Sequence, residues 1–133
     1  MDFSINHGRE IVPMDAAGTV EVQHDTNTTT ANFIVSATDI SDFYEDTQKV
    51  FAVYKPPGGE VAYKACTVTD DHTDGTTATQ YTFSWKIDKS ATSQSGTVKV
   101  QIVICDGDDP TAESATVRWS SLIYSLAIQP SIY

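Results

Sequence analysis

Leucine is nearly absent from this chain of 133 residues, which contains only Leu122 and Leu126, against 12 Val, 10 Ile and 18 Thr. Amphipathic helices of a protein core draw mainly on Leu, Ala, Glu and Lys, whereas residues branched at Cβ pack well on a pleated sheet. The acidic residues show the same preference, because 13 are Asp, which favours turns, and 5 are Glu, which favours helices. The composition therefore predicts an all-β protein.

Basic residues are also scarce, since 8 Lys and Arg stand against 18 Asp and Glu and give a formal net charge of −10 at pH 7. Such a chain repels the phosphates of a nucleic acid and the surface of an anionic membrane. No apolar run approaches the ~20 residues of a membrane-spanning helix, and residues 1–5 lack the basic and apolar regions of a secretory signal. We therefore expect no nucleic acid partner, no membrane insertion and no export.

Cysteine is limited to Cys66 and Cys105. Without a secretory signal the expected compartment is reducing, which favours two free thiols over a disulfide.

The length suits one ordinary domain, and we predict a single β-sandwich domain over residues 1–133. Residues 1–17 are predicted to form an N-terminal arm, because Pro13 ends the short apolar run before it or confines it to a sheet edge.

Alternation of apolar and polar residues predicts most of the strands. The clearest examples are residues 81–87 and 98–104, where large apolar side chains occupy every second position. Residues 50–55 are nearly all apolar and predict a central strand, which Pro56-Pro57-Gly58-Gly59 turns into a hairpin with residues 60–69. Further strands are predicted over residues 18–24, 31–37 and 117–128, with a bulge or bend near Ser120 and Ser121 and one helical turn over residues 41–46.

Seven or eight short strands separated by turn signals are typical of an antiparallel two-sheet β-sandwich. An immunoglobulin-like Greek key is the topology that we predict. Trp85 and Trp119 are expected in the core between the sheets.

The sequence contains no recognisable catalytic or metal-binding motif. The three histidines form no spaced ligand pair. Residues 70–75 are similar to the first half of a calcium loop, but the position of the closing glutamate is Tyr81. We therefore expect no catalytic residue, no metal site and no cofactor, and we predict that the protein is not an enzyme. Whether the Asp-rich turns bind Ca²⁺ stays open.

Aromatic side chains outside the predicted core are candidates for surface contacts. These are Phe43, Tyr44, Tyr54 and Tyr133. The outer strands are a second candidate, since the unpaired main-chain groups of a sheet edge accept an added strand from a partner. We expect such edges at Val12 in the N-terminal arm and at Ile128 in the last strand, with acidic loops selecting the partner by charge.

Five stretches in order carry a family resemblance: residues 20–29 (VEVQHDTNTT), 53–59 (VYKPPGG), 83–87 (FSWKI), 91–102, where small residues lead into TVKVQI, and 119–128. Together they resemble the N-terminal domain of upper baseplate proteins from tailed phages and prophages of Gram-positive bacteria. The resemblance implies a β-sandwich attachment module in a phage virion, made in the bacterial cytoplasm, which docks onto other tail, baseplate or fibre proteins or onto copies of itself. The alternative is a carbohydrate-binding or adhesin module that recognises host cell-surface glycan through exposed, coplanar aromatic rings.

Overall fold

The structure, a computed structural model, describes residues 1–14, 20–22, 29–45, 48–73 and 75–130. Within these residues the chain forms eleven β-strands and two helices of four residues each. The strands are β1 (Asp2–Ile5), β2 (Ile11–Pro13), β3 (Val20–Val22), β4 (Thr30–Ser36), β5 (Lys49–Lys55), β6 (Ala62–Ala65), β7 (Thr67–Asp70), β8 (Gln80–Lys86), β9 (Gly96–Asp106), β10 (Thr116–Ser120) and β11 (Tyr124–Gln129). The helices are α1 (Ala37–Ile40) and α2 (Lys89–Thr92).

The strands form two sheets. The first sheet has the order β2-β1-β4-β8-β7, and the second has the order β3-β11-β9-β5-β6, with β10 also paired to β9. The orders β4-β8-β7 and β11-β9-β5-β6 correspond to the B-E-D and G-F-C-C′ strands of an immunoglobulin-type sandwich. The predicted all-β, two-sheet fold with this topology is confirmed.

Alternating burial explains why these segments form strands and how the sheets pack. In β9, Val98, Val100, Ile102 and Ile104 are all buried, and Phe83 and Trp85 of β8 point into the same core. Trp119 is buried there as well, as the sequence predicts. β8 and β9 thus each contribute one apolar face to the space between the sheets, and burial of such faces is the main source of stability.

A second, smaller cluster lies on the outer face of the second sheet. It consists of Phe51, Val103 and Cys105, with Val53 and Ala115 packed against it. Val103 and Cys105 of β9 are therefore buried, although they face away from the core between the sheets. Periodicity alone does not predict this cluster, because the outward positions of an isolated strand are expected to be polar.

One extended segment, residues 62–70, forms an edge of both sheets. Its first half, β6, pairs with β5 in the second sheet, and its second half, β7, pairs with β8 in the first sheet. At Cys66 between them, the main-chain N–H donates to the carbonyl of Val50 at 2.8 Å. The predicted hairpin between β5 and β6 is confirmed, but the returning strand changes sheets where one continuous strand was expected.

Within the predicted N-terminal arm, β1 and β2 pair in the first sheet, with β1 between β2 and β4 and β2 at the edge. Three details differ from the sequence prediction. Two strand pairs, β1–β4 and β3–β11, are parallel where an antiparallel sandwich was expected. The strand count is eleven, because several strands are short or divided. The predicted helical turn is found four residues earlier, as α1, directly after β4.

Candidate interaction surfaces

Tyr54 is buried, so its prediction as a surface aromatic is wrong. Only 2% of the residue is exposed, and its ring lies 5.2 Å from that of Trp85 between centroids. The phenol O–H reaches the carboxylate of Asp88 at 2.9 Å and the hydroxyl of Ser90 at 2.6 Å. Burial raises the pKa of Tyr54 to about 12. The side chain anchors the N-terminus of α2 to β5, which is a structural role.

Ile128 is also buried, with 3% of the residue exposed, and its strand is not an edge. β11 pairs with β9 on one side and with β3 on the other. The main-chain groups of β11 therefore already have partner strands on both sides at residues 127–128, and the predicted strand addition at Ile128 is wrong. The parallel pairing with β3, which is more than a hundred residues earlier in the sequence, explains why the edge was misassigned.

Val12 lies on a true edge strand and its side chain is exposed. The hydrogen bonds from Asn6 N to Glu10 O and from Met14 N to Asp2 O set the alternation of the ladder between β1 and β2. By this alternation Val12 points its own N–H and C=O towards β1, opposite Ser4. Pro13 has no N–H, so Ile11 supplies the only outward donor of β2, and the edge is poorly suited to accept another strand.

Phe43 and Tyr44 are half-buried after α1. The guanidinium carbon of Arg9 lies 5.4 Å from the ring centroid of Phe43 and 5.6 Å from that of Trp119. Tyr44 packs edge-on against Tyr81, with 5.1 Å between ring centroids. Both rings therefore join neighbouring elements, and each presents only part of its surface. Tyr133, the last of the predicted contacts, lies outside the described residues.

The backbone of Arg9 is unusual, because its φ of 69° is positive without the residue being glycine. The conformation closes the turn between β1 and β2, where Arg9 N donates to Asn6 O at 2.9 Å. The carbonyl of Arg9 accepts a hydrogen bond from Leu122 N at 2.9 Å. Arg9 thus connects the first sheet to the second through its main chain and through its stacked guanidinium.

The two cysteines are free thiols, as the sequence predicts. Burial raises the pKa of Cys66 to about 12. The pKa of Cys105 is raised as well, by burial and by the neighbouring carboxylates of Asp106 and Asp109. A nucleophilic cysteine reacts as the thiolate and needs a lowered pKa. The pKa values of both thiols are therefore shifted in the direction opposite to that required for nucleophilic catalysis.

The carboxylates of the loops bond to their own loops. Asp71 accepts hydrogen bonds from the hydroxyl and the N–H of Thr79 and from the N–H of Gln80. Asp70 bonds to His72, and these contacts lower the pKa of both carboxyls. A carboxyl that acts as a general acid has a raised pKa. Across the described ranges, no three His, Cys, Asp or Glu residues come close enough together to hold a metal ion.

The structure contains an exposed apolar surface that the sequence reasoning missed. A groove of about 200 Å³ opens on the outer face of the second sheet, and we call it the outer groove. Apart from the buried Tyr54 and Val100, its lining comprises the half-buried Val53 and Gln101 and the exposed Lys55, Val61, Lys99 and Ile123. Of these, Val61 is 55% and Ile123 is 63% exposed. The sequence feature that could have indicated this surface is the apolar pair Leu122-Ile123, directly after the predicted bend at Ser120 and Ser121.

Exposed coplanar aromatic rings, the feature expected of a glycan-binding module, do not occur among the residues that the structure describes. Phe3 and Phe33 are stacked but both are buried. The exposed ring of Tyr63 stands at 86° to that of Phe51. No helix in the described part of the chain is long and apolar enough to cross a membrane.

The architecture defines an immunoglobulin-type β-sandwich. Among solved structures, the chain is similar to the N-terminal domain of phage TP901-1 ORF48, with a TM-score of 0.52 and 11% sequence identity. The match covers 96% of this chain and 94% of that chain, so the two share a fold over nearly their whole length. No family model matches the sequence, and no curated protein matches it.

Proposed function

We propose that this protein is a structural component of a phage tail, in which the sandwich attaches one tail or baseplate protein to another by protein–protein contacts. The observation that carries the proposal is the shared fold with a domain of a phage baseplate protein over almost the full length of both chains. The raised thiol pKa values and the loop-bound carboxylates agree with a non-enzymatic role.

At β11 and β2, the two strands where the sequence predicts strand addition, an added strand is poorly accommodated. β11 is flanked on both sides, and Pro13 leaves β2 with a single outward donor. Strand addition needs a row of unpaired donors and acceptors. We therefore assign attachment to side-chain surfaces and not to these two strands, with the acidic loops restricting the choice of partner by charge.

The test is reconstitution from purified components. The full chain is mixed with each tail structural protein encoded in the same genome, and complexes are measured by size-exclusion chromatography with light scattering. We expect a stable complex with at least one of these proteins. A chain that stays monomeric and binds none of them would contradict the proposed function.

A further inference from the structure

The outer groove has a charge that is opposite to that of the whole protein. The chain has 18 acidic residues against 8 basic ones, yet the groove contains Lys55 and Lys99 and no acidic residue in its lining. Lys55 and Lys99 lie directly opposite each other on β5 and β9. Like charges in this arrangement destabilise a sheet. A carboxylate placed between the two ammonium groups would relieve the repulsion.

Two other cations of the second sheet already have carboxylate partners. Lys49 pairs with Asp108, and Arg118 pairs with Asp106 at 2.7 Å. Within the described ranges, neither Lys55 nor Lys99 has a carboxylate within ion-pair distance. The two lysines of the groove are therefore available to an external anion.

Apolar side chains lie beside the two lysines. Val53 forms part of the groove, and the exposed side chains of Val61 and Ile123 project at its border. Ile123 is exposed because the chain leaves the ladder after Ser121 and rejoins β9 at Tyr124. An apolar surface with a polar rim is typical of a protein-binding site.

We propose that the outer groove binds a segment of a second phage structural protein, which places an apolar side chain against Val53, Val61 and Ile123 and an Asp or Glu carboxylate between Lys55 and Lys99. This inference rests on the proposed function and adds to it the surface and the chemistry of the partner. A second copy of the chain fits less well, because two molecules of net charge −10 repel each other. Pairing of the groove with itself would also bring four lysines together.

The experiment uses the full chain and the tail protein that forms the complex in the reconstitution described above. The double variant Lys55→Glu/Lys99→Glu reverses the charge of the groove. We expect it to weaken the complex by about tenfold or more, since a loss of ~1.4 kcal/mol corresponds to a factor of ten. The matched control is Lys86→Glu/Lys89→Glu, which makes the same charge change at exposed lysines outside the groove.

A second pair of variants tests the apolar contacts of the outer groove. Ile123→Ser removes an exposed apolar side chain from the groove, and Val117→Ser removes one from the same sheet outside it. We expect only Ile123→Ser to weaken the complex. Carbodiimide, which joins an amine directly to a carboxylate, should then cross-link Lys55 or Lys99 to an Asp or Glu of the partner, as identified by mass spectrometry.

The outcomes separate the two proposals. A complex that forms but is indifferent to the groove variants, or that yields no cross-link from either lysine, overturns the groove assignment and leaves the attachment function standing. Failure to bind any tail protein overturns both. Self-association that disappears in Lys55→Glu/Lys99→Glu would also overturn the inference, because the groove would then bind a second copy of the chain.

Discussion

The hydroxyl of Ser121 takes the place of a main-chain acceptor opposite Ile102. Ser121 N donates to Ile102 O at 2.8 Å, and Ile102 N donates to Ser121 Oγ at 2.9 Å. The hydroxyl itself donates to the carbonyl of Leu122 at 2.9 Å. One buried side chain therefore continues the ladder of β9 across the gap between β10 and β11, and lets Leu122 and Ile123 leave the sheet.

Replacing Ser121 with alanine should destabilise the fold. The N–H of Ile102 would lose its acceptor in a buried position, and such an unsatisfied group costs about 1–3 kcal/mol. The measurement is the free energy of unfolding from urea titration. Ser125→Ala, at an exposed position of β11, is the control and should change stability by less than about 0.5 kcal/mol. Equal stability of the two variants would contradict the role assigned to the hydroxyl.

Gly96 is predicted to be less replaceable than Gly107. Both have positive φ, 125° and 98°, so alanine is strained at either position. A Cβ at Gly96 would also lie 3.2 Å from Cγ of Pro57, whereas a Cβ at Gly107 meets nothing within 4 Å. Gly107→Ala therefore reports the cost of the backbone alone, about 1–3 kcal/mol.

Gly96→Ala should lower the melting temperature more than Gly107→Ala does, because it also disturbs the packing of the 56–59 turn on the start of β9. Thermal unfolding followed by circular dichroism measures both variants. If Gly107→Ala were the more damaging change, the contact between Gly96 and Pro57 would have no energetic importance.

Tyr54 should make stability fall with rising pH in the alkaline range. Its pKa is 10.0 in the unfolded reference and is raised to about 12 in the folded chain by burial. Between these values the unfolded chain has lost the phenol proton and the folded chain retains it, so stability decreases as pH rises from 10 towards 12. Below pH 10 both states are protonated and this contribution to stability is complete.

The comparison is between the original chain and Tyr54→Phe, with the free energy of unfolding measured from pH 8 to 11.5. The variant should be less stable at pH 8, because its phenol bonds to Asp88 and Ser90 are lost, but should show a shallower alkaline decline. Cys66 contributes equally to both proteins and cancels in the comparison. Parallel pH curves would show that Tyr54 ionises normally in the folded state.

Both thiols should resist modification in the folded chain. Their raised pKa values keep them protonated at pH 8, and Cys105 is fully buried. We expect Ellman's reagent to react with the native protein at least on the order of a hundredfold more slowly than with the protein in urea. The single variants Cys66→Ala and Cys105→Ala show which thiol is responsible for any observed reaction. Rapid reaction of Cys105 in the native protein would contradict its burial.

The sequence predicts the core strands well because their alternation reflects a single buried face. β8 and β9 fall almost where the pattern places them, and Trp85 and Trp119 lie in the predicted core. Tyr54 was misassigned because the run from Val50 to Tyr54 is continuously apolar and hides which side chains face inward. In the structure Val50, Ala52 and Tyr54 face the core, and Phe51 and Val53 face outward.

The surfaces were harder to predict because they depend on pairings between distant segments. Ile128 is internal only because β3 pairs with its strand. The outer groove needs β5, β9 and the 121–123 break to be aligned side by side, with Lys55 opposite Lys99. None of these alignments leaves a periodic signal in the sequence. Local alternation therefore indicates which face of a strand is buried, and long-range register determines which exposed residues become neighbours.

The segment formed by β6 and β7 couples the two sheets mechanically. Peeling it from β5 would also pull on β8, because the same nine residues border both sheets without an intervening loop. On that side, neither sheet has an edge strand that can separate without disturbing the other sheet. The sandwich should consequently resist tension applied there until it ruptures in a single step.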